Sequence, residues 1–130
     1  MTREKLLNIL SSVLLVASAA QFAGIYLHLY TRVIWFDHIA HFLGGVFAAL
    51  LVLWVLFFSG YLRFTLPSSR LALFVVMVGG ALIIGVGWEV FENLLGLTWS
   101  PKGYWLDTEL DLLFDAVGAL CVYYSVRNRL

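Results

Sequence analysis

Six side chains have the types and spacing to act together: Asp37 with His41, Glu89 with Glu92, and Asp111 with Asp115. Each pair is three or four residues apart, which on a helix of 3.6 residues per turn puts its members on one face. Five carboxylates in one small bundle cannot all stay ionised in a low dielectric. A metal ion, protons on some carboxyls or a cationic ligand would neutralise them. Carboxylate-rich sites with a histidine suit Mg, Mn, Fe or Zn, and carboxylate-plus-histidine helices in a bundle can hold two metals. His41, Glu89, Asp111 and Asp115 are therefore the expected ligands of a divalent metal ion that lowers the pKa of bound water. Glu92 and Asp37 are the expected catalytic groups, acting as base or orienting a ligand. No serine, histidine and aspartate stand at a spacing recognisable for nucleophilic catalysis.

The elements that must position these groups follow from composition. Of 130 residues, 62% are hydrophobic and 12% charged, against roughly 45–50% and 25% in soluble domains. That balance points to an all-α, polytopic membrane protein with the lipid bilayer as its solvent. Apolar segments cover about 6–30, 36–61, 71–95 and 107–126, and a helix crosses a bilayer in about 17–25 residues. The fourth reaches that length only with Asp107 to Glu109 as its first turn. The runs lack the alternation of membrane strands, so a four-transmembrane-helix bundle forming a single domain over 1–130 is expected. Ala17-Ser18-Ala19 resembles a signal-peptidase site, but the apolar run continues past it to Tyr30, too long for a signal segment, and an uncleaved first helix is expected. Lys plus Arg balances Asp plus Glu at eight each, which removes the basic surplus nucleic-acid binding needs. Cys121 is the single cysteine and cannot form an intrachain disulfide.

Orientation follows from Lys and Arg in the short flanks. Arg3, Lys5, Arg63, Arg70, Arg127 and Arg129 share one side, and Arg32 and Lys102 the other. Both termini are expected in the cytoplasm, with the protein in the plasma (inner) membrane. Trp99, Tyr104 and Trp105 suit the outer interface, and Ser100-Pro101-Lys102-Gly103 reads as a turn. All three histidines and seven of the eight acidic residues then fall near the outer side, Glu4 being the exception.

Geometry sharpens this asymmetry. Asp107, Asp111 and Asp115 descend one face, the last about 12 Å below the first. In the first span Gln21, Gly24 and His28 share a face. Small residues four apart, Gly44 with Ala48, Gly45 with Ala49, Ala81 with Gly85 and Ala19 with Ala23, allow close helix packing in lipid. Local roles compete with the chemical ones. Asp37 could be a helix N-cap, and Thr108 with Asp111 reads as a capping box. His28 and His38 read as interfacial or hydrogen-bonded.

Three segments carry a family resemblance: Trp35-Phe36-Asp37-His38-Ile39-Ala40-His41-Phe42 with Gly45, Trp88-Glu89-Val90-Phe91-Glu92, and Asp107-Thr108-Glu109-Leu110-Asp111 with Gly118. They resemble the YjdF-like predicted inner-membrane proteins and, more distantly, the VanZ-like proteins. The YjdF-like resemblance implies Asp37, His41, Glu89, Glu92, Asp107 and Asp111 as a polar set. The VanZ-like pattern implies Asn at the position of Asp115, and an association with glycopeptide resistance and the cell envelope.

The expected function is an outward-facing, metal-binding site acting on a lipid or lipid-linked envelope substrate by hydrolysis or transfer. A proton or cation path is the alternative, since membrane carboxylate and histidine chains also move protons; from Gly44 to Tyr61, however, the second span has no ionisable group. A structural accessory of a larger membrane complex, or a homo-oligomer, is the third reading.

Overall fold

The computed structural model describes residues 1–62, 64–96 and 103–130. Arg63, Trp99, Lys102 and, except for Gly103, the expected turn Ser100-Pro101-Lys102-Gly103 lie outside them. The described chain is all helical: α1 (Arg3–Tyr26), a single turn α2 (Leu29–Arg32), α3 (Phe36–Leu53) continued by a π-helical turn (Trp54–Phe58), α4 (Arg70–Leu95) and α5 (Tyr104–Val126).

Helix ends follow local chemistry. The Thr2 hydroxyl accepts from the Lys5 amide at 3.3 Å and starts α1; Ser69 Oγ accepts from the Ala72 amide at 3.4 Å and starts α4. These side chains satisfy amides that the first helical turn leaves open. Gly96, at φ 67°, closes α4 in the left-handed conformation that glycine takes without strain. The apolar run expected to reach Tyr30 breaks earlier, because His28 is left-handed (φ 55°) and exposed. At the start of α3, Trp35 holds the N-cap position and Asp37 sits in the first turn, so Asp37 is not a cap. α5 starts after Gly103, which places Thr108 inside the helix and rules out the capping box.

Three helices are long and apolar enough to cross a membrane: Arg3–Tyr26, Phe36–Phe58 and Arg70–Leu95. α5 has 23 residues but carries Asp107, Glu109, Asp111 and Asp115, which makes it too polar to qualify on composition alone. α3, α4 and α5 pack on one another, whereas α1 lies against α3 and has no Cα within 8 Å of one in α4 or α5. The four long helices are therefore a three-helix unit with α1 laid on one side.

Burial divides the unit along its length. Leu6, Leu50, Leu53, Leu73, Met77, Val122 and Val126 form an apolar core toward the end that carries both termini. There the N-terminal amine donates to the Arg129 carbonyl at 2.6 Å, and Arg3 Nη2 donates to the Ser59 carbonyl at 3.1 Å. Toward the other end, burial turns polar, with His41, Glu89, Asp111 and Asp115 all inside. Between these levels α3 and α5 meet backbone to backbone. A Cβ on Gly45 would overlap the Asp115 main chain, and one on Gly118 would overlap the Phe42 carbonyl. Of the expected small residues, Gly45 lies in this seam and Ala49 is buried in the core, while Ala19 is exposed.

Substituting valine at Gly45 or Gly118 forces the seam apart, at a cost of about 1–3 kcal/mol or more. Thermal unfolding in detergent should show a lower midpoint for either. Gly79→Ala and Gly87→Ala, whose added Cβ meets nothing within 4 Å, should leave it unchanged or raised, because alanine is the better helix former by about 1 kcal/mol.

Candidate metal and carboxylate site

The first turns of α3 supply Asp37, His38 and His41, the last turns of α4 supply Glu89 and Glu92, and the N-terminal half of α5 supplies Thr108, Asp111 and Asp115. The up-and-down course of α3, α4 and α5 brings these three helix ends together. His41 is at the centre. Its Nε2 stands 3.7 Å from Glu89 Oε1, 3.8 Å from Asp111 Oδ2 and 3.9 Å from Asp37 Oδ1. Its Nδ1 stands 3.6 Å from Asp115 Oδ2. These separations exceed the 2.7–3.2 Å of an N–H···O hydrogen bond, so the imidazole is surrounded by carboxylates without being bonded to them.

Two groups have ligand atoms within 4.8 Å of one another: Asp37, His41 and Asp111, and His41, Glu89 and Glu92. His41 belongs to both. Asp111 is 2% exposed, Asp115 4%, and Glu89 and His41 5%, while Asp37 and Glu92 are half-buried. Depth thus separates an enclosed set from two flanking carboxyls.

Supporting contacts hold some of these oxygens and leave others open. Thr108 Oγ1 donates to Glu89 Oε2 at 2.8 Å. Glu89 Oε1 and Asp115 Oδ2 are buried without a hydrogen-bond partner, although a buried polar atom is ordinarily satisfied. Gly85 lets the Asp115 carboxylate approach α4, since a Cβ there would overlap Oδ2. Among the described residues no Lys or Arg comes within 4.0 Å of these carboxylates, every ion pair there being made by a histidine. Arg32, the described basic residue expected on the side of the cluster, is exposed.

The sequence-derived set thus meets in space: Asp37, His41, Glu89, Glu92, Asp111 and Asp115 all reach the site. His28 does not, and Glu109 is exposed; Asp107 is half-buried one turn above Asp111. Two further residues take part: His38, read as interfacial or hydrogen-bonded, and Thr108, read as part of a cap. His38 stacks on Phe114, with ring centroids 4.8 Å apart, and brings Nδ1 to 3.4 Å from Asp111 Oδ1. Thr108, taken for a cap, is the donor to Glu89. Both contacts arise between helices, so spacing within one segment carries no signal for them.

A cavity of about 490 Å³ adjoins the cluster, with Asp37, His41, Glu92 and Asp115 in its wall. Tyr30, on α2, covers its polar end and donates to the Gln21 side chain. Burial, reinforced by the Asp37 and Glu92 carboxyls, pushes the Tyr30 hydroxyl up to about 12. It therefore stays protonated at neutral pH.

A family model of predicted membrane proteins matches residues 2–129. The chain belongs to the predicted membrane protein family DUF2238. The YjdF-like resemblance fits that membership loosely, and the VanZ-like one rests on the residues alone. No curated protein and no solved structure matches this DUF2238 chain.

Removing the Thr108 hydroxyl leaves Glu89 Oε2 buried and unpartnered, a loss of about 1–3 kcal/mol. Thr108→Val should lower the thermal midpoint in detergent and Thr108→Ser should restore it. Thr31→Val, which removes only an exposed local bond to the His28 carbonyl, should change it little.

Proposed function

We propose that this membrane protein binds one divalent metal ion through His41 Nε2, Glu89 and Asp111, and uses the site on a lipid or lipid-linked substrate. The observation that carries this reading is the pair of buried, unpartnered oxygens, Glu89 Oε1 and Asp115 Oδ2, both directed at His41. Two ligand atoms each about 2.1 Å from an ion stand at most about 4.2 Å apart. The separations of 3.7 and 3.8 Å from Nε2 to Glu89 and Asp111 each fit that limit; the two carboxylates belong to different groups around His41, so an ion held by both draws them together. Asp115 faces the other ring nitrogen. In this reading its charge, 3.6 Å from Nδ1, favours the tautomer with the proton on that nitrogen and the ring orientation that turns Nε2 to the ion, the part carboxylates play behind metal-bound histidines. That role replaces the ligand role suggested by its spacing.

A divalent cation there supplies positive charge and Lewis acidity and acidifies water at neutral pH. Asp37 and Glu92 flank the enclosed set, are less buried and line the cavity, so each can accept a proton from a hydroxyl or water held there. Hydrolysis or group transfer is the reaction class that uses such a set. A transmembrane proton path is a weaker reading, because the described core beyond Asp115 is built from Ala48, Ala49, Leu53, Met77 and Val122.

In this reading α5 is the fourth span, with Asp111 and Asp115 shielded by α3 and α4. The termini lie in the cytoplasm of a plasma-type membrane, with the site toward the outside, as the Lys and Arg distribution favours. With Cys121 replaced by serine, a single cysteine at the exposed Glu109 should label with a membrane-impermeant maleimide from the outside, and single cysteines at Thr2 and at the exposed Asn128, beyond α5, only from the cytoplasmic side. Labelling of Asn128→Cys from the same side as Glu109→Cys would remove α5 as the fourth span.

Elemental analysis of detergent-purified protein tests the metal directly. About one divalent ion per chain is expected, lost in an Asp111→Asn, Glu89→Gln variant that keeps its helical circular dichroism. Returning the ion at 100 times its dissociation constant should stabilise the stripped wild type by about 2.7 kcal/mol, read as a rise in thermal midpoint. Metal-free protein whose midpoint ignores added Mg, Mn, Fe and Zn would overturn the proposal.

A further inference from the structure

The cavity beside the cluster has a shape and polarity that the metal chemistry does not require. Its walls come from α1 and α4, which nowhere approach within 8 Å between Cα atoms, and its floor from α3. It is therefore a cleft open along one side of the three-helix unit. In a membrane that opening faces acyl chains instead of water. Phe22, Ile25, Phe47, Ala48, Ala81 and Ile84 line its length, and the polar groups Gln21, Tyr30, Asp37, His41, Glu92 and Asp115 lie toward the site.

Dimensions narrow the occupant. From Asp37 to Ala48 the α3 wall runs eleven residues, about 16 Å at 1.5 Å per residue. That is about half of a ~30 Å hydrocarbon core, the depth of one leaflet. A methylene has about the bulk of a water molecule, ~30 Å³, so 490 Å³ holds one chain of ordinary length and not two. The head-group end narrows it further. Asp37 and Glu92 border that end, and among the described residues no Lys or Arg lines the cleft. One divalent ion would leave the surrounding carboxylates in excess, so an anionic head would meet like charge.

We infer that the cleft between α1 and α4 binds one alkyl chain of a single-chain amphiphile, whose uncharged or cationic head rests against Asp37, Glu92 and Tyr30. This rests on the lipid-substrate reading above and names the class of lipid. The amphiphile enters sideways from one leaflet, chain first between α1 and α4, and its head stops beside the His41 cluster. α1 is a wall of the binding site that contributes no carboxylate to it.

Photo-crosslinking tests the inference. The purified protein in vesicles is exposed to hexadecylamine, hexadecanol and palmitate, each with a diazirine in mid-chain, and labelled peptides are mapped by mass spectrometry. The amine and alcohol should label the cleft faces of α1 between Ala17 and Ile25 and of α4 between Ala81 and Trp88, saturably. Palmitate should label them about tenfold less, by like-charge repulsion at the head. Ala17→Trp and, independently, Ile84→Trp fill the cleft away from the carboxylates and should cut labelling about tenfold. Unchanged helical circular dichroism and an unchanged thermal midpoint in detergent show that each variant is folded. Labelling spread equally over outward residues such as Leu15 and Ile83, unaffected by either tryptophan, or equal for palmitate and the amine, would overturn the inference. The Asp111→Asn, Glu89→Gln variant separates the two readings: retained labelling without metal supports the cleft independently, and a wild type that labels as expected but holds no metal sinks only the metal reading.

Discussion

Ionised carboxyls taken out of water carry a large desolvation penalty, and attraction to a neighbouring charge offsets it only when the geometry is close and the remaining lone pairs are satisfied. Here Glu89, Asp111 and Asp115 are enclosed around a single imidazole, with no Lys or Arg beside them among the described residues. Much of the architecture at that end serves this constraint. Gly45 and Gly118 bring α3 and α5 close enough for carboxylates from two helices to reach one ring, and Gly85 admits the Asp115 side chain against α4. Thr108 occupies one oxygen of Glu89. The apolar core toward the termini carries no such burden and supplies cohesion that the polar end cannot.

The division between a polar end and an apolar end was legible in the sequence, because hydropathy locates the segments and helical periodicity assigns faces within each. Asp37 and His41, Glu89 and Glu92, and Asp111 and Asp115 could be grouped before any contact was known, since each pair is local. What periodicity cannot supply is which ring nitrogen faces which carboxylate, and that choice separates Asp115 from Glu89 and Asp111. The partner of His38, expected only as interfacial or hydrogen-bonded, and the role of Thr108 escaped for the same reason, since each contact is made to another helix. Backbone conformation also escaped: nothing in an apolar run announces that His28 turns left-handed and ends α1 early. The arrangement of the first helix was likewise hidden, since its apolar surface suits a closed bundle and a side-laid helix equally well.

That arrangement gives the molecule two unequal parts. α3, α4 and α5 contain every group of the His41 cluster, whereas α1 meets α3 along its length and is tied near the termini through Arg3 and Ser59. At its other end it leads into α2, where Tyr30 packs edge-on against Phe36 at 5.1 Å between ring centroids. The three-helix unit sets the geometry of the cluster, and α1 sets how much of its surroundings lipid can reach.

The acidic face of α5 also bears on how the protein is made. A single aspartate near the centre of a membrane helix opposes its insertion by about 2.5–3.5 kcal/mol, and α5 carries Asp111 and Asp115 on the face that α3 and α4 cover. By itself α5 is a poor candidate to leave water. Its shelter is built from α3 and α4, both of which precede it in the chain and are apolar enough to enter a bilayer unaided. With α5 as the proposed fourth span, synthesis from the N-terminus delivers the partners before the helix that depends on them, and the order of the elements along the chain doubles as an order of assembly.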